Sequence, residues 1–170
     1  MKNVLLLTLV ILSVLGCTEK TKYDVLPSVN WESIKWEHKL GDSLNTGSTY
    51  LSIYSQVYST TEHKTHDLTA TVSIRNINKR DTIFVKNANY YDTKGDLIRT
   101  YFETPIYIKP MQTIEIVINE KDKSGGTGAN FVFDWLAAKN VHAPFFEAVM
   151  ITTYGQQGLS FTTQGVSIDE

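Results

Sequence analysis

Between Leu68 and Asn76 the chain reads LTATVSIRN, and its side chains alternate in character. Leu68, Ala70, Val72 and Ile74 fall on one side of an extended chain; Thr69, Thr71, Ser73 and Arg75 fall on the other. A period of two gives a strand one buried and one wet face. The same period governs YLSIYSQVY, where Leu51, Ile53, Ser55 and Val57 oppose Tyr50, Ser52, Tyr54, Gln56 and Tyr58. It returns in TIFVKNANYY, DLIRTYF, NFVFDW, FFEAVMITTYG and LSFTTQGVSI. Roughly eight short strands at close spacing, with Phe133 to Lys139 as the one stretch where a helix competes, predict an all-β fold. The expected architecture is a single immunoglobulin-like antiparallel β-sandwich.

Two connections are specific. In DTKG, between TIFVKNANYY and DLIRTYF, Asp92 and Gly95 suit a type I turn running into a glycine bulge, with Gly95 at positive φ. In PIYIKPMQTIEIVINE, Pro110 separates Ile106 and Ile108 from Ile114, Ile116 and Ile118. A proline there predicts a corner where the chain crosses between sheets or runs along an edge. NWESIKWEHKLGD allows two readings: Ile34, Trp36, His38 and Leu40 on one strand face, or a short helix capped by Asn30. In both, Trp31 and Trp36 are expected to cover the edge of the core.

The start of the chain carries an address. Lys2 precedes an apolar run from Val4 to Leu15, the length of a signal-peptide core and short of the roughly 20 residues that span a bilayer. The run closes on VLGC, which resembles the lipobox of bacterial lipoproteins. That resemblance implies cleavage between Gly16 and Cys17, and acyl groups on Cys17. Several acyl chains make a stable anchor where one is marginal. The alternative is a cleaved, fully soluble secreted protein in which Cys17 has no special role. The segments expected are a lipoprotein signal peptide at 1–16, a lipidated cysteine and tether at 17–30, and the β-sandwich at 31–170. Thr18 stands where enteric-type sorting places an aspartate to retain lipoproteins at the inner membrane, which leans toward the outer membrane. The expected location is the bacterial cell envelope, with the domain in the periplasm or at the cell surface.

Cys17 is the chain's one cysteine, so a lipidated domain has no disulfide and rests on packing. A net charge of −2 argues against nucleic acid and against electrostatic attachment to anionic lipid.

The stretch SGGTGANFVFDW, Ser124 to Trp135, raises the question of a phosphate loop. A Walker loop needs lysine after its last glycine and a helix to follow; here TGAN follows, then an alternating run. A dinucleotide fingerprint lacks its parallel βαβ unit. An anion nest of backbone amides is the remaining binding alternative. The favoured reading is a loop whose glycine backbone lies close to a neighbouring strand.

Other chemistry is sparser. TEHKTHD places His63 and His66 three apart, beside Glu62 and Asp67, in a polar segment between strands. A solvated loop is the favoured reading and a metal site the alternative, since a structural zinc wants four good ligands. No cofactor is expected. Serine, histidine and aspartate are all present, but no G-x-S-x-G elbow appears, so no catalytic residue is assigned and a hydrolase remains a third-ranked reading. Tyr50, Tyr54 and Tyr58 form a candidate ligand face opposite the aliphatic residues, able to stack sugars or meet a partner. The competing reading covers that face with the N-terminal tryptophan segment.

HDLTATVSIRN, YYDTKGDLIRTY, SGGTGANFVFDW and EAVMITTYGQQGLSF, in that order and spacing, resemble an uncharacterised bacterial lipoprotein family, domain of unknown function 3124. The likeness runs from about Tyr50 to Val166. It implies a secreted or lipid-anchored all-β domain with no assigned activity. The combined expectation is an envelope lipoprotein acting as a non-catalytic interaction or structural module, with an envelope protein or cell-wall material as partner. A glycan- or small-ligand-binding module is the alternative.

Overall fold

The computed structural model of the chain describes residues 29–38, 43–153 and 158–168. The expected signal peptide, Gly16, Cys17 and most of the tether lie outside the described residues, as does Leu40. Among the described residues a short 3-10 turn, Trp31–Ile34, precedes twelve strands. These are β1 (Leu44–Ile53), β2 (Gln56–Tyr58), β3 (Thr65–Asp67), β4 (Thr69–Arg75), β5 (Ile83–Tyr91) and β6 (Leu97–Thr100). Then come β7 (Ile106–Ile108), β8 (Thr113–Ile118), β9 (Ala129–Ala138), β10 (Phe145–Thr152), β11 (Leu159–Gln164) and β12 (Val166–Ser167).

The larger sheet runs β12-β1-β9-β5-β6, with β7 also paired to β5; the smaller runs β11-β10-β4-β8. All of these pairings are antiparallel, and β2 with β3 makes a separate ribbon. The protein is thus an all-β antiparallel sandwich, as the alternation predicts. Leu68, Ala70, Val72 and Ile74 are all fully buried. Opposite them, Leu51, Ile53, Val85, Phe131 and Phe133 fill the inner face of the larger sheet. A column of rings joins the two layers: Tyr90 on Phe131 at 4.9 Å, Phe131 on Phe133 at 5.2 Å, and Phe133 on Phe146 of the opposite sheet at 4.4 Å. Such pairs contribute about 0.5–1.5 kcal/mol each beyond the area they bury.

The turns follow their local chemistry. Gly95 has φ +88°, and its N–H donates to the Asp92 carbonyl at 3.0 Å, with the register shift of a bulge at Tyr90 and Tyr91. The Pro110 corner does carry the chain from the larger sheet (β7) to the smaller (β8). Gln112 N–H closes it on the Lys109 carbonyl at 3.1 Å, and Met111 takes φ +60° between them.

Buried polar groups pin the end of the sandwich. Asn76 Nδ2 donates to the carbonyls of Asp81 and Ile108 at 2.7 and 2.9 Å, while its Oδ1 accepts from Asn78 N and Nδ2, both at 3.0 Å. Asn78 in turn exchanges two hydrogen bonds with the His142 backbone, each 2.9 Å. At Gly165 the chain passes from the smaller sheet to the larger; a Cβ there would press on Thr49 and Phe146.

Three readings of the sequence differ from the structure. Phe133 to Lys139 is strand through Ala138, because this run pairs with β1 along its length. YLSIYSQVY is two strands, because the Ser55 and Gln56 amides donate to the Gly126 carbonyl at 3.1 and 3.0 Å instead of continuing the ladder. Of NWESIKWEHKLGD, the described residues 30–38 form neither a full strand nor a side-chain-capped helix: Asn30 makes no side-chain cap bond, and Lys35 forms one bridge to Ile106.

Candidate functional site

Fixed polar side chains gather on the outward face of the larger sheet. Its ladder sets three neighbours in one row: Ser48 on β1, Asp134 on β9 and Asn87 on β5. β9 places Asp134 outward because Phe131 and Phe133 are committed inward by the alternation. A bulge between Val85 and Asn87 gives β5 an extra residue, Lys86, and re-aims Asn87 into the row. Ser48 Oγ donates to Asp134 Oδ1 at 2.5 Å, and Asn87 Nδ2 donates to Asp134 Oδ2 at 2.7 Å. Farther along the same face Thr100 Oγ donates to Asn89 Oδ1 at 2.9 Å.

A shallow cleft of about 560 Å³ opens at this row, lined by Thr46, Gly47, Ser48, Lys86, Val132, Asp134, Trp135 and Ile168. Gly47 is required here: the Trp135 indole lies against its backbone where a Cβ would stand, and the indole N–H donates to Thr49 Oγ at 3.0 Å. Carboxylate, amide and hydroxyl groups held by one another can accept and donate at once, which suits hydrogen-bonding recognition.

Of the tyrosines singled out in the sequence, Tyr50 lies on this face, half-buried, paired with Val132 and Val166. Tyr54 instead packs edge-on against Phe161 at 5.6 Å, and Tyr58 stands 60% exposed in the β2–β3 ribbon. The three do not share one strand face, because the strand ends at Ile53. Nor does the tryptophan segment cover Tyr50. Trp36 packs on Phe84 at 5.1 Å and on Tyr107 at 6.1 Å, and Trp31 on Phe102 at 5.0 Å, at the far side of the sheet near β5 and β7. A second cleft of about 390 Å³ lies there, lined by Glu32, Lys35, Trp36, Glu37, His38 and Tyr107.

His63 is exposed beside Glu62 at 3.4 Å, and His66 sits half-buried on β3. Among the described residues no group of three or more His, Cys, Asp or Glu side chains gathers to hold a metal ion. Gly16 and Cys17 lie outside the described residues.

The glycine-rich stretch is a clasp. Gly125 is buried against the Tyr90 hydroxyl, Ala129 and Ser55, closely enough that any Cβ would collide. Thr93 Oγ1 donates to the Gly125 carbonyl at 2.9 Å and accepts from Gly128 N at 3.0 Å. Lys123 pairs with Asp67 at 2.7 Å, and Asp122 with Arg99 at 3.2 Å. Hydrogen bonds from Lys123 and Gln56 hold the Asp67 carboxyl below its ordinary value, and those from the Ser124 hydroxyl and amide, with Arg99, do the same for Asp122. Burial pushes the Tyr90 hydroxyl up, against the hydrogen bond it shares with Ser55 at 2.9 Å.

A family model described as Protein of unknown function (DUF3124) matches residues 46–168. The chain belongs to this family. The DUF3124 match starts within β1 and ends at Ile168, so it takes in both sheets, the glycine clasp and every residue of the Asp134 cleft. The Trp31–Trp36 segment precedes it. Neither the curated proteins nor the solved structures contain a match to this chain.

The cleft residues were not visible as a site in the sequence. Ser48 and Asp134 are separated by 86 residues, Asn87 and Asp134 by 47. The available signal was modest: Asp134 is a carboxylate on the outward phase of an otherwise apolar run.

Proposed function

We propose that the mature chain is held at a bacterial envelope membrane by acyl groups on Cys17. Its sandwich then works as a non-catalytic interaction module that meets its partner through the outer face of the larger sheet. The VLGC ending of the apolar run supports the anchor, and membership of an uncharacterised family is compatible with it. The observation that carries the interaction reading is the Ser48–Asp134–Asn87 row, fixed across three strands, of which Ser48 and Asp134 line an open cleft. Ser48 donates straight to a carboxylate with no imidazole between them, an arrangement for holding a ligand rather than for activating a nucleophile. The four histidines lie elsewhere: His38 at the second cleft, His63 and His66 in the ribbon segment, His142 in the Asn78 loop.

Fractionation of the native host tests the anchor. Wild-type protein is expected in the membrane pellet with an acylated Cys17 by mass spectrometry, and Cys17→Ala protein outside the detergent phase. Recovery of wild type as a soluble chain with a free thiol overturns it.

A further inference from the structure

We propose that the Asp134 cleft binds a neutral carbohydrate, with Asp134 and Ser48 meeting sugar hydroxyls and Asn87 holding the carboxylate from beside the lining. The inference rests on the reading of this sheet face as the interaction surface and names what that surface recognises.

A hydroxyl group donates one hydrogen bond and accepts others, so a site for several adjacent hydroxyls needs donors and acceptors side by side. Asp134 supplies two acceptor oxygens, each with lone-pair capacity beyond the bond it receives from Ser48 or Asn87. Asn87 fixes that carboxylate from the neighbouring strand, its Nδ2 donating to Asp134 Oδ2 and its Oδ1 accepting from Asp134 N at 3.4 Å. These planar groups are locked by one another on strands, so little rotamer freedom remains to be lost on binding. Thr46 adds a hydroxyl and exposed Lys86 an ammonium donor at the rim. Val132 and Ile168 line the same cleft with apolar surface for the C–H side of a sugar ring. About 560 Å³ falls within the range of small-ligand sites and is open enough for an oligosaccharide to run through.

The same groups disfavour other occupants. An anion would face the Asp134 carboxylate across a short distance. A divalent cation of the calcium type wants six to eight oxygens, and Asp134 is the one carboxylate in the lining. An apolar ligand would strand the carboxylate without water. A protein hot spot is built on aromatic or arginine anchors, whereas the one aromatic in this lining, Trp135, is already committed to Gly47 and to Thr49 Oγ1.

The test is calorimetric titration of the intact chain in detergent with two soluble probes: neutral gluco-oligosaccharides and oligosaccharides of N-acetylated amino sugars. Binding of at least one is expected, weakened tenfold or more by Asp134→Asn and by Asn87→Ala, with Thr71→Ala on the opposite sheet within twofold of wild type. Lys86→Ala, at an exposed position, is expected to weaken binding severalfold with unchanged melting, so the result does not depend on refolding of the row. Absence of binding to both probes overturns the inference. So does wild-type affinity in Asp134→Asn, or tighter binding of a uronic-acid oligosaccharide than of the neutral ones. The readout needs neither membrane nor protein partner, so a blank leaves the anchor to be judged by fractionation alone.

Discussion

Gly125 illustrates how much one residue can settle. Its backbone occupies the space over the Tyr90 hydroxyl, and the surrounding atoms belong to Ser55 and Ala129. Gly125→Ala is expected to destabilise by about 1–3 kcal/mol, the usual cost of overpacking, read as a fall in thermal or urea midpoint. Tyr90→Phe in the same chain should restore part of that loss by removing the nearest obstacle, at the cost of Ser55's partner. A double-mutant cycle with no coupling would refute this packing account. Met111 presents the opposite case: φ is +60° where the side chain is 65% exposed, so strain is present with little packing in return. Met111→Asn should raise stability by about 0.5–1 kcal/mol, since asparagine tolerates the left-handed region. Gly95 was legible because turn, spacing and residue type all agree locally. The place of Gly125 was not, because its obstacle is a tyrosine on another strand.

At the scale of elements, β4 was readable since its inward face is apolar and fully buried and its other face polar, and the period of two records that difference directly. The break between β1 and β2 was hidden. Ser55 keeps the inward phase of the alternation, and only the distant Gly126 carbonyl draws its amide out of the ladder. For the same reason the tyrosine face looked continuous and the Asp134 row did not appear: a row across a sheet is made of residues far apart in the chain. The clasp joining the ribbon to the sandwich should also be sensitive to acid. Asp67 and Asp122 are held below the ordinary aspartate value of 3.8, so the unfolded chain takes up protons before the folded one does. Their contribution is complete above 3.8 and is lost as the pH falls below it, through their folded-state values. Asp67→Asn is therefore expected to lower the melting temperature most at neutral pH and to converge on wild type below 3.8, which flattens the acid decline. An unchanged acid slope would count against the Lys123 pairing.

For the whole molecule, the larger sheet depends on its last strand. β12 pairs with β1 at Thr49 and Tyr50, and Ile168 N–H donates to the Ser48 carbonyl at 3.0 Å, beside the cleft. Ending the chain after Gly165 should lower the melting midpoint by several degrees and weaken saccharide binding along with it. A truncated chain with wild-type stability would show that β12 is dispensable. The sandwich as a class was legible because every buried strand repeats the same pattern; the order of strands was not, because β1 takes both partners from much later in the chain. That order carries a consequence for biogenesis. β1 is synthesised well before β9 and β12, so the larger sheet cannot lock shut until both of those strands have emerged. A chain that closes this late stays threadable while those strands are still being made, as the export proposed above would require.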